Sequence, residues 1–168
     1  STHYYYLDGA EVKPLLKKRA RFSHKGSYGH ALLIAGSYGM MGAAVLSARA
    51  ALRSGVGLLT THVPRLGVDI MQTAVPESLL SVDESDFYFT EHHNLQKFSA
   101  VGIGPGLNQK SNTKKGLLSL LNTVTVPLVL DADGCRQVFE PDAFGLGLFH
   151  GRHPAAQVAA TSDEDGTR

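Results

Sequence analysis

The sequence predicts a layered α/β fold with a mostly parallel sheet. Three short apolar runs, at residues 31–35, 99–103 and 126–130, have the length of buried strands, and each ends at a Gly- or Asp-containing turn. The first run is followed by a glycine loop, a helical stretch and another apolar run, and such strand–helix–strand units build parallel sheets. A chain of 168 residues is long enough for one compact domain of this kind.

The other elements follow in chain order around these three strands. A basic lead-in at residues 1–22 is expected to be a solvated helix end or a linker. Further periodic segments predict helices at 43–54, 68–73 and 112–121 and strands at 57–63 and 78–82. The polar segment 83–93 is predicted to lie on the surface. Residues 134–168 contain neither a strand-length apolar run nor a clear amphipathic period, and we expect a disordered or poorly packed tail there.

Composition excludes several classes of function. The chain has 16 Lys and Arg against 15 Asp and Glu, a formal net charge of +1, which argues against a nucleic-acid partner because such proteins present a strongly basic face. No stretch approaches the ~20 apolar residues that span a bilayer, so no membrane partner is expected. The single cysteine, Cys135, forms no internal disulfide and is typical of a reducing compartment. These features predict a cytoplasmic protein.

Glycine loops after the predicted strands are the first candidate binding features. Gly36, Gly39 and Gly42 recur at every third position between a strand and a helix, where glycine lets a ligand approach the backbone and a helix N-terminus favours negative charge. The spacing matches neither the dinucleotide motif nor the phosphate loop. A purely structural role, letting the Ala-rich helix lie close to the sheet, fits it equally well. Gly104 and Gly106 follow another strand, and ligands of open α/β sheets bind beyond such strand ends.

Charged residues near two strands are the second group of candidates. Asp131 and Asp133 follow the last predicted strand, and carboxylates two residues apart on extended chain point to the same face. They could hold Mg²⁺ through water, or one of them could cap the following helix. Lys25, between His24 and Gly26, precedes the first strand; it could contact a phosphate, although an exposed loop lysine is the commoner outcome. Nothing near Cys135 in the sequence favours a nucleophile.

Taken together and in order, these motifs resemble the NAD(P)H-hydrate dehydratase family. The strings that carry the resemblance are SHKGSYGH at 23–30, AGS at 35–37, ARAALRSGVGL at 48–58, VPE at 75–77, GIGPGL at 102–107 and VLDAD at 129–133. The similarity covers roughly residues 6–133. It implies a ribokinase-like layered α/β/α fold, a domain that is often fused to an NAD(P)H-hydrate epimerase.

The resemblance also implies a function in nicotinamide cofactor repair. The family removes water from (6S)-NAD(P)HX to regenerate NAD(P)H, consuming ADP or ATP with Mg²⁺, and family members are expected to form homo-oligomers. By the same resemblance, Ala43 and Gly106 line the hydrated-nicotinamide site, and Gly104 belongs to the same loop. Further candidates for a nucleotide or substrate loop are His24, Lys25, Gly26, Gly39, Gly42 and Asp131. No residue is assigned to a metal.

After residue 133 the sequence departs from the family pattern. The family continues with Ala-Leu-Asn, then a Pro-His-Pro-Gly-Glu loop, a Lys-Gly segment and a Gly-[ST]-Gly-Asp turn whose Asp is the catalytic base; none of these strings occurs here. We therefore expect residues 23–133 to form the N-terminal half of the domain, truncated, and residues 134–168 to be an atypical tail from a frameshift or gene-model error. Two alternatives stay open: another ribokinase-like small-molecule kinase, and a catalytically inactive fragment.

Overall fold

The computed structural model describes residues 8–15, 18–92 and 94–139. Within them a parallel sheet of five strands has the order β3-β2-β1-β4-β5. The strands are β1 (His30–Ile34), β2 (Leu58–Val63), β3 (Leu79–Val82), β4 (Ala100–Ile103) and β5 (Leu128–Leu130). The helices are α1 (Gly9–Val12), α2 (Met41–Arg53), α3 (Val68–Ala74), α4 (Ser111–Thr123) and α5 (Asp133–Phe139). The predicted layered α/β fold is confirmed.

Apolar side chains cover both faces of the sheet. Because successive strand residues point to opposite faces, Leu32 and Leu33 of β1 lie in different clusters. Leu32 packs in one with Leu117 of α4, while Leu33 packs in the other with Ala44 of α2 and Met71 of α3. The central strands β2, β1 and β4 are therefore covered on both faces, which explains why the runs at 31–35 and 99–103 are continuously apolar. Leu79 and Val82 of the edge strand β3 and Val129 of β5 are exposed.

Helix α2 follows the glycine loop and packs against the sheet. Its buried face consists of Met41, Ala44 and Ala48, and small residues on this face let the helix lie close to β1 and β2. The helix ends at Arg53, and Gly55 follows with φ of +102°, a conformation that glycine adopts readily. The predicted bounds of this helix agree with the structure to within two residues at the start and one at the end.

The prediction of a surface segment at 83–93 is wrong at two positions. Asp83 and Phe89 are buried, because hydrogen bonds satisfy the Asp83 carboxylate and Phe89 packs with Leu117 in the cluster beneath α4. His92 is half-buried, with its ring 5.0 Å from that of His62. Residue 93 lies outside the described residues.

The prediction of an irregular tail is wrong for its first residues. Helix α5 extends the fold to Phe139, and Cys135 and Val138 pack against the cluster that contains Leu130. Gln137 is buried and donates a hydrogen bond to the carbonyl of Asn108. Two partly buried apolar residues in seven give too weak a pattern for sequence analysis to detect. Residues 140–168, the rest of the predicted tail, lie outside the described residues.

The lead-in is only partly described. Arg19 lies over the ring of Tyr28 at 4.5 Å and donates to the carbonyl of Gly55 at 2.9 Å, so this basic residue is anchored to the domain rather than simply solvated. Residues 1–7 and 16–17 of the lead-in lie outside the described residues. Within the described part of the chain, no helix has both the length and the apolar character needed to cross a membrane.

Candidate ligand site at the carboxyl end of the sheet

Loops that follow β1 and β4 are joined at the carboxyl end of the sheet. The amide of Gly36 donates to the carbonyl of Pro105 at 2.8 Å, and the hydroxyl of buried Ser37 donates to the carbonyl of Gly106 at 2.8 Å. Parallel strands end on the same side, so the loops after neighbouring strands meet there. The predicted glycine loop and the predicted Gly-Pro-Gly turn are thus parts of one surface.

Ala43 and Gly106, the two positions that the resemblance assigns to the substrate, lie against each other. A β-carbon at Gly106 would be 2.9 Å from the β-carbon of Ala43 and 2.9 Å from the carbonyl oxygen of Met40. Gly106 also has φ of +67°, which side-chain-bearing residues rarely adopt. The backbone of the β4 loop can approach the start of α2 this closely only because position 106 lacks a side chain.

Gly104 packs against the start of the loop that follows β5. Its φ is +141°, and a β-carbon there would overlap the backbone carbonyl of Asp131. Hydrogen bonds join these loops to the neighbouring strands. The amide of Gly104, directly after β4, donates to the carbonyl of Ile34 in β1, and the amide of Asp131, directly after β5, donates to the carbonyl of Ile103 in β4. Asp131 therefore lies beside the Gly-Pro-Gly turn, as the order of the strands predicts.

Asp133 has a structural partner in the loop that follows β4. Its carboxylate accepts a hydrogen bond from the amide of Asn108 at 3.0 Å, which ties the β4 loop to the first residue of α5. Across residues 8–15, 18–92 and 94–139, no three His, Cys, Asp or Glu side chains are grouped closely enough to hold a metal ion. The described residues thus do not form a protein cage for Mg²⁺.

Cys135 is not an activated thiol. Burial, and then the charge of Asp131, raise the pKa of Cys135, and its thiol donates to the carbonyl of Leu130 at 3.1 Å. A raised pKa reduces the thiolate fraction at neutral pH, and the thiolate is the reactive form.

Gly39 and Gly42 differ from the other glycines of the site. Both are exposed, and a β-carbon at either position would meet no atom within 4 Å. Gly39 has φ of +83°, which accounts for glycine there, but Gly42 has an ordinary helical conformation in the first turn of α2. Nothing in the described fold requires glycine at position 42.

His24, Lys25 and Gly26 lie at the opposite end of the sheet. They form a turn just before β1, in which the ring of His24 accepts a hydrogen bond from the amide of Gly26 at 3.1 Å. The carbonyl of Lys25 abuts Gly57, the residue before β2. Strand β1 separates this turn from the glycine loop by roughly 13 Å at about 3.3 Å per residue. The structure does not bring these three residues together with the other candidates.

A buried polar network, which the sequence analysis did not detect, lies beside the glycine loop. We call it the Asp83 network; its members are His62, Ser81, Asp83, Ser85 and Thr90. The His62 and Asp83 side chains, 4% and 0% exposed, form a pair with 3.0 Å between Nε2 and Oδ2. Ser81 contacts the other ring nitrogen of His62 at 2.9 Å.

Hydrogen bonds dominate the electrostatics of Asp83. Burial by itself would raise its pKa, but hydrogen bonds from His62, from both the amide and hydroxyl of Thr90, and from the amide of Ser85 outweigh it and lower the pKa to about 2. His62 and Asp83 are 21 residues apart in sequence, so no local pattern connects them. The only sequence signal is an acidic residue placed directly after a predicted strand.

The loop that Asp83 anchors also borders the glycine loop. The amide of Tyr38 donates to the carbonyl of Phe87 at 2.7 Å, and the two rings meet edge to face with centroids 5.6 Å apart. Both rings are exposed, Tyr38 at 70% and Phe87 at 49%. The carboxyl end of the sheet thus carries four adjoining loops, after β1, β3, β4 and β5.

These features define a class of protein. A parallel α/β sheet with glycine loops gathered beyond its strand ends is the arrangement of open α/β proteins that bind nucleotides and other small molecules in that crevice. Within this class, the family model described as NAD(P)H-hydrate dehydratase matches residues 31–144. The chain belongs to the NAD(P)H-hydrate dehydratase family, and the resemblance seen in the sequence motifs is confirmed.

Curated relatives and solved structures agree with this assignment. The chain is 42% identical over 135 residues to the bifunctional NAD(P)H-hydrate repair enzyme Nnr of Coxiella burnetii, a match covering 80% of this chain and 27% of that protein. It is 35% identical to the ADP-dependent (S)-NAD(P)H-hydrate dehydratase of Bacillus subtilis, covering 72% and 43%. The crystal structure of the ADP/ATP-dependent enzyme from Bacillus subtilis, co-crystallised with ATP and Mg²⁺, superposes with a TM-score of 0.68 at 29% identity, covering 89% and 49%.

A ribokinase-like superfamily protein from Enterococcus faecalis supports the fold alone. It superposes with a TM-score of 0.68 at 21% identity and covers 82% of this chain and 50% of that one. Together with the Bacillus subtilis structure, it confirms the expected ribokinase-like fold. The chain spans half or less of the length of each of these relatives.

Proposed function

We propose that this chain carries the substrate-facing half of an NAD(P)H-hydrate dehydratase, which converts (6S)-NAD(P)HX to NAD(P)H at the expense of ADP or ATP. The contact between Ala43 and Gly106, inside a cluster of glycine loops at the carboxyl end of the sheet, carries the proposal. The names of the relatives from Coxiella burnetii and Bacillus subtilis support the substrate and the nucleotide.

The chemistry requires a poor leaving group to become a good one. The nucleotide transfers a phosphoryl group to the substrate hydroxyl, after which the electron pair of the ring nitrogen expels phosphate. Loss of a proton from the neighbouring carbon then completes the dihydronicotinamide ring. Phosphoryl transfer depends chiefly on positioning and electrostatics. In this proposal the described residues do the positioning: the loops around Gly36, Gly39 and Gly106 let the substrate approach the backbone and the first turn of α2.

The remaining expectations belong to the same proposal. Mg²⁺ enters only as the counter-ion of the nucleotide phosphates, in keeping with the ATP and Mg²⁺ of the Bacillus subtilis crystals. Homo-oligomerisation, a partner epimerase domain and a cytoplasmic location follow from family membership in the same way. We propose residues 23–133 as the N-terminal half of the dehydratase domain.

A turnover assay tests the proposal. Purified protein is mixed with NADHX, Mg²⁺ and either ADP or ATP, and the appearance of NADH absorbance is followed. Turnover with one nucleotide and not the other also decides the co-substrate. Lys25→Ala is the matched control, because Lys25 is exposed and lies at the amino end of the sheet. This variant should leave any activity unchanged. Loss of activity would contradict the proposal, because it would indicate that a ligand binds at the amino end of the sheet.

Binding without turnover is the second candidate function. The observation that favours it is the joining of the glycine loops after β1 and β4, because close approach of a ligand to the backbone is a binding feature that needs no catalytic group. Titration calorimetry with NADH distinguishes the candidates. Measurable affinity in a preparation that forms no NADH from NADHX supports the binding function, whereas neither affinity nor turnover would contradict both.

A further inference from the structure

Tyr38 and Phe87 form an exposed aromatic pair beside the glycine loop. Large apolar rings are usually buried, but these two are 70% and 49% exposed. Their planes are inclined at 83° with centroids 5.6 Å apart. In such an edge-to-face pair, one ring directs its edge at a face of the other, so the pair itself covers only one of the four ring faces. The pair therefore offers broad aromatic surface to solvent.

The pair is held in a fixed position rather than lying on a loose loop. The backbone of Tyr38 is bonded to that of Phe87 at 2.7 Å, and the amide of Phe87 is 3.2 Å from the hydroxyl of Ser85. The Asp83 carboxylate in turn accepts from the amides of Ser85 at 2.8 Å and Thr90 at 2.7 Å, on either side of Phe87. A surface organised before binding loses little entropy when a ligand is bound.

The position of the pair indicates what it contacts. Tyr38 lies in the loop between Gly36 and Gly42, and the preceding residue, Ser37, is bonded to Gly106. The aromatic surface is therefore continuous with the loops proposed to receive the dinucleotide. Flat nitrogen heterocycles stack on aromatic side chains, and a dinucleotide carries two such ring systems.

We propose that Tyr38 and Phe87 form an aromatic subsite that binds a ring of the dinucleotide ligand. The inference rests on the proposed function for the identity of the ligand, and it assigns a role to two residues that the family motifs do not include. The subsite would bind a flat nitrogen heterocycle. The dinucleotide has two such rings, the adenine ring and the pyridine-derived ring, and either could occupy it.

Calorimetric titration of NADH into the wild-type protein and three variants tests the subsite. Tyr38→Ala and Phe87→Ala should each weaken binding by about tenfold, the loss expected when one aromatic stacking partner is removed. Tyr38→Phe keeps the ring and should bind as the wild type does. Phe22→Ala is the matched control, because Phe22 is 94% exposed but lies before β1, near the amino end of the sheet. It should not change the affinity.

Two further measurements separate the outcomes. Titrations with AMP and with reduced nicotinamide mononucleotide identify the ring, because only the probe that carries it should lose affinity in Tyr38→Ala. Far-ultraviolet circular dichroism checks that each variant is folded. If the wild type binds NADH and both alanine variants bind equally well, the subsite is refuted and the proposed function stands.

Two other results would also overturn the inference. If the wild type neither binds NADH nor forms it from NADHX, the proposed function fails and the subsite loses its ligand with it. If the alanine variants change only the oligomeric state in sedimentation experiments, the pair is instead a contact between copies of this chain.

Discussion

Replacing Asp83 by asparagine tests whether the Asp83 network stabilises the fold through charge. Asparagine keeps the size of the side chain but removes the negative charge, and one of its polar atoms becomes a donor that faces the donors of Ser85 and Thr90. His62, buried beside it, loses its charged partner. The free energy of unfolding should therefore fall, although no apolar contact is removed.

The lowered pKa of Asp83 sets the magnitude. It falls from the ordinary 3.8 to about 2 in the folded protein, and at about 1.4 kcal/mol per pH unit this corresponds to about 2 kcal/mol of stability at neutral pH. The opposed donor in Asp83→Asn adds about 1 kcal/mol. We expect a total loss of about 3 kcal/mol at pH 7.

The assay is urea-induced unfolding of both proteins across a pH series, followed by circular dichroism. A folded pKa below the unfolded one gives stability that is complete above the unfolded pKa and is lost as the pH falls through the folded pKa. The difference in free energy of unfolding between wild type and Asp83→Asn should therefore shrink as the pH falls from about 5 to about 2. His62 and His92, whose rings lie 5.0 Å apart, are present in both proteins, so the Asp83 carboxylate is the group that differs between them.

Asp86→Asn is the control for this experiment. Asp86 is 3.3 Å from Arg65 in an ion pair whose side chains are 53% and 64% exposed, and exposed pairs contribute little. Its substitution should leave both the stability and the pH dependence almost unchanged. If the difference in free energy of unfolding between wild type and Asp83→Asn stays constant from pH 5 to pH 2, the electrostatic explanation is refuted.

Three further predictions use glycines and the cysteine. Gly42→Ala should raise the free energy of unfolding by about 0.5 kcal/mol, because a β-carbon fits the fold there, and on the proposed function it should weaken NADH binding in calorimetry; unchanged affinity would exclude ligand contact there. Gly104→Ala should cost about 4 kcal/mol in urea unfolding, about 2 each from backbone strain and overlap with Asp131, and a loss below about 1 kcal/mol would contradict the packing. Cys135 should react with iodoacetamide at pH 7 several-fold more slowly in the folded protein than in urea, and equal rates would show that neither burial nor Asp131 protects it.

Local sequence patterns predict most of the fold because its central strands, β2, β1 and β4, are buried on both faces. The apolar runs at 31–35, 99–103 and 126–130 correspond to β1, β4 and β5, with differences of at most two residues at their ends. Pro127 explains the late start of β5: it has no amide proton, but its carbonyl accepts from Val101 and begins the ladder.

The elements that sequence analysis missed depend on partners distant in the chain. Helix α5 has few apolar residues, and what orders it is the contact of Cys135 with Leu130 and of Gln137 with Asn108. Asp83 is polar in any local pattern, and its burial depends on hydrogen bonds from Ser85 and Thr90 and from His62 on a neighbouring strand. Such pairs become visible when the sheet order is known, because β2 and β3 are neighbours with Val63 beside Val82, directly before Asp83.

The glycines of the site divide into those that the fold explains and those that it does not. At Gly104 and Gly106 a side chain would collide with the protein itself, so packing alone requires glycine there, with or without a ligand. Gly39 is accounted for by its positive φ. Gly42 has neither constraint, and a helical glycine costs about 0.5–1 kcal/mol relative to alanine. Nothing in the described fold therefore explains glycine at position 42, and the calorimetry of Gly42→Ala tests whether a ligand does.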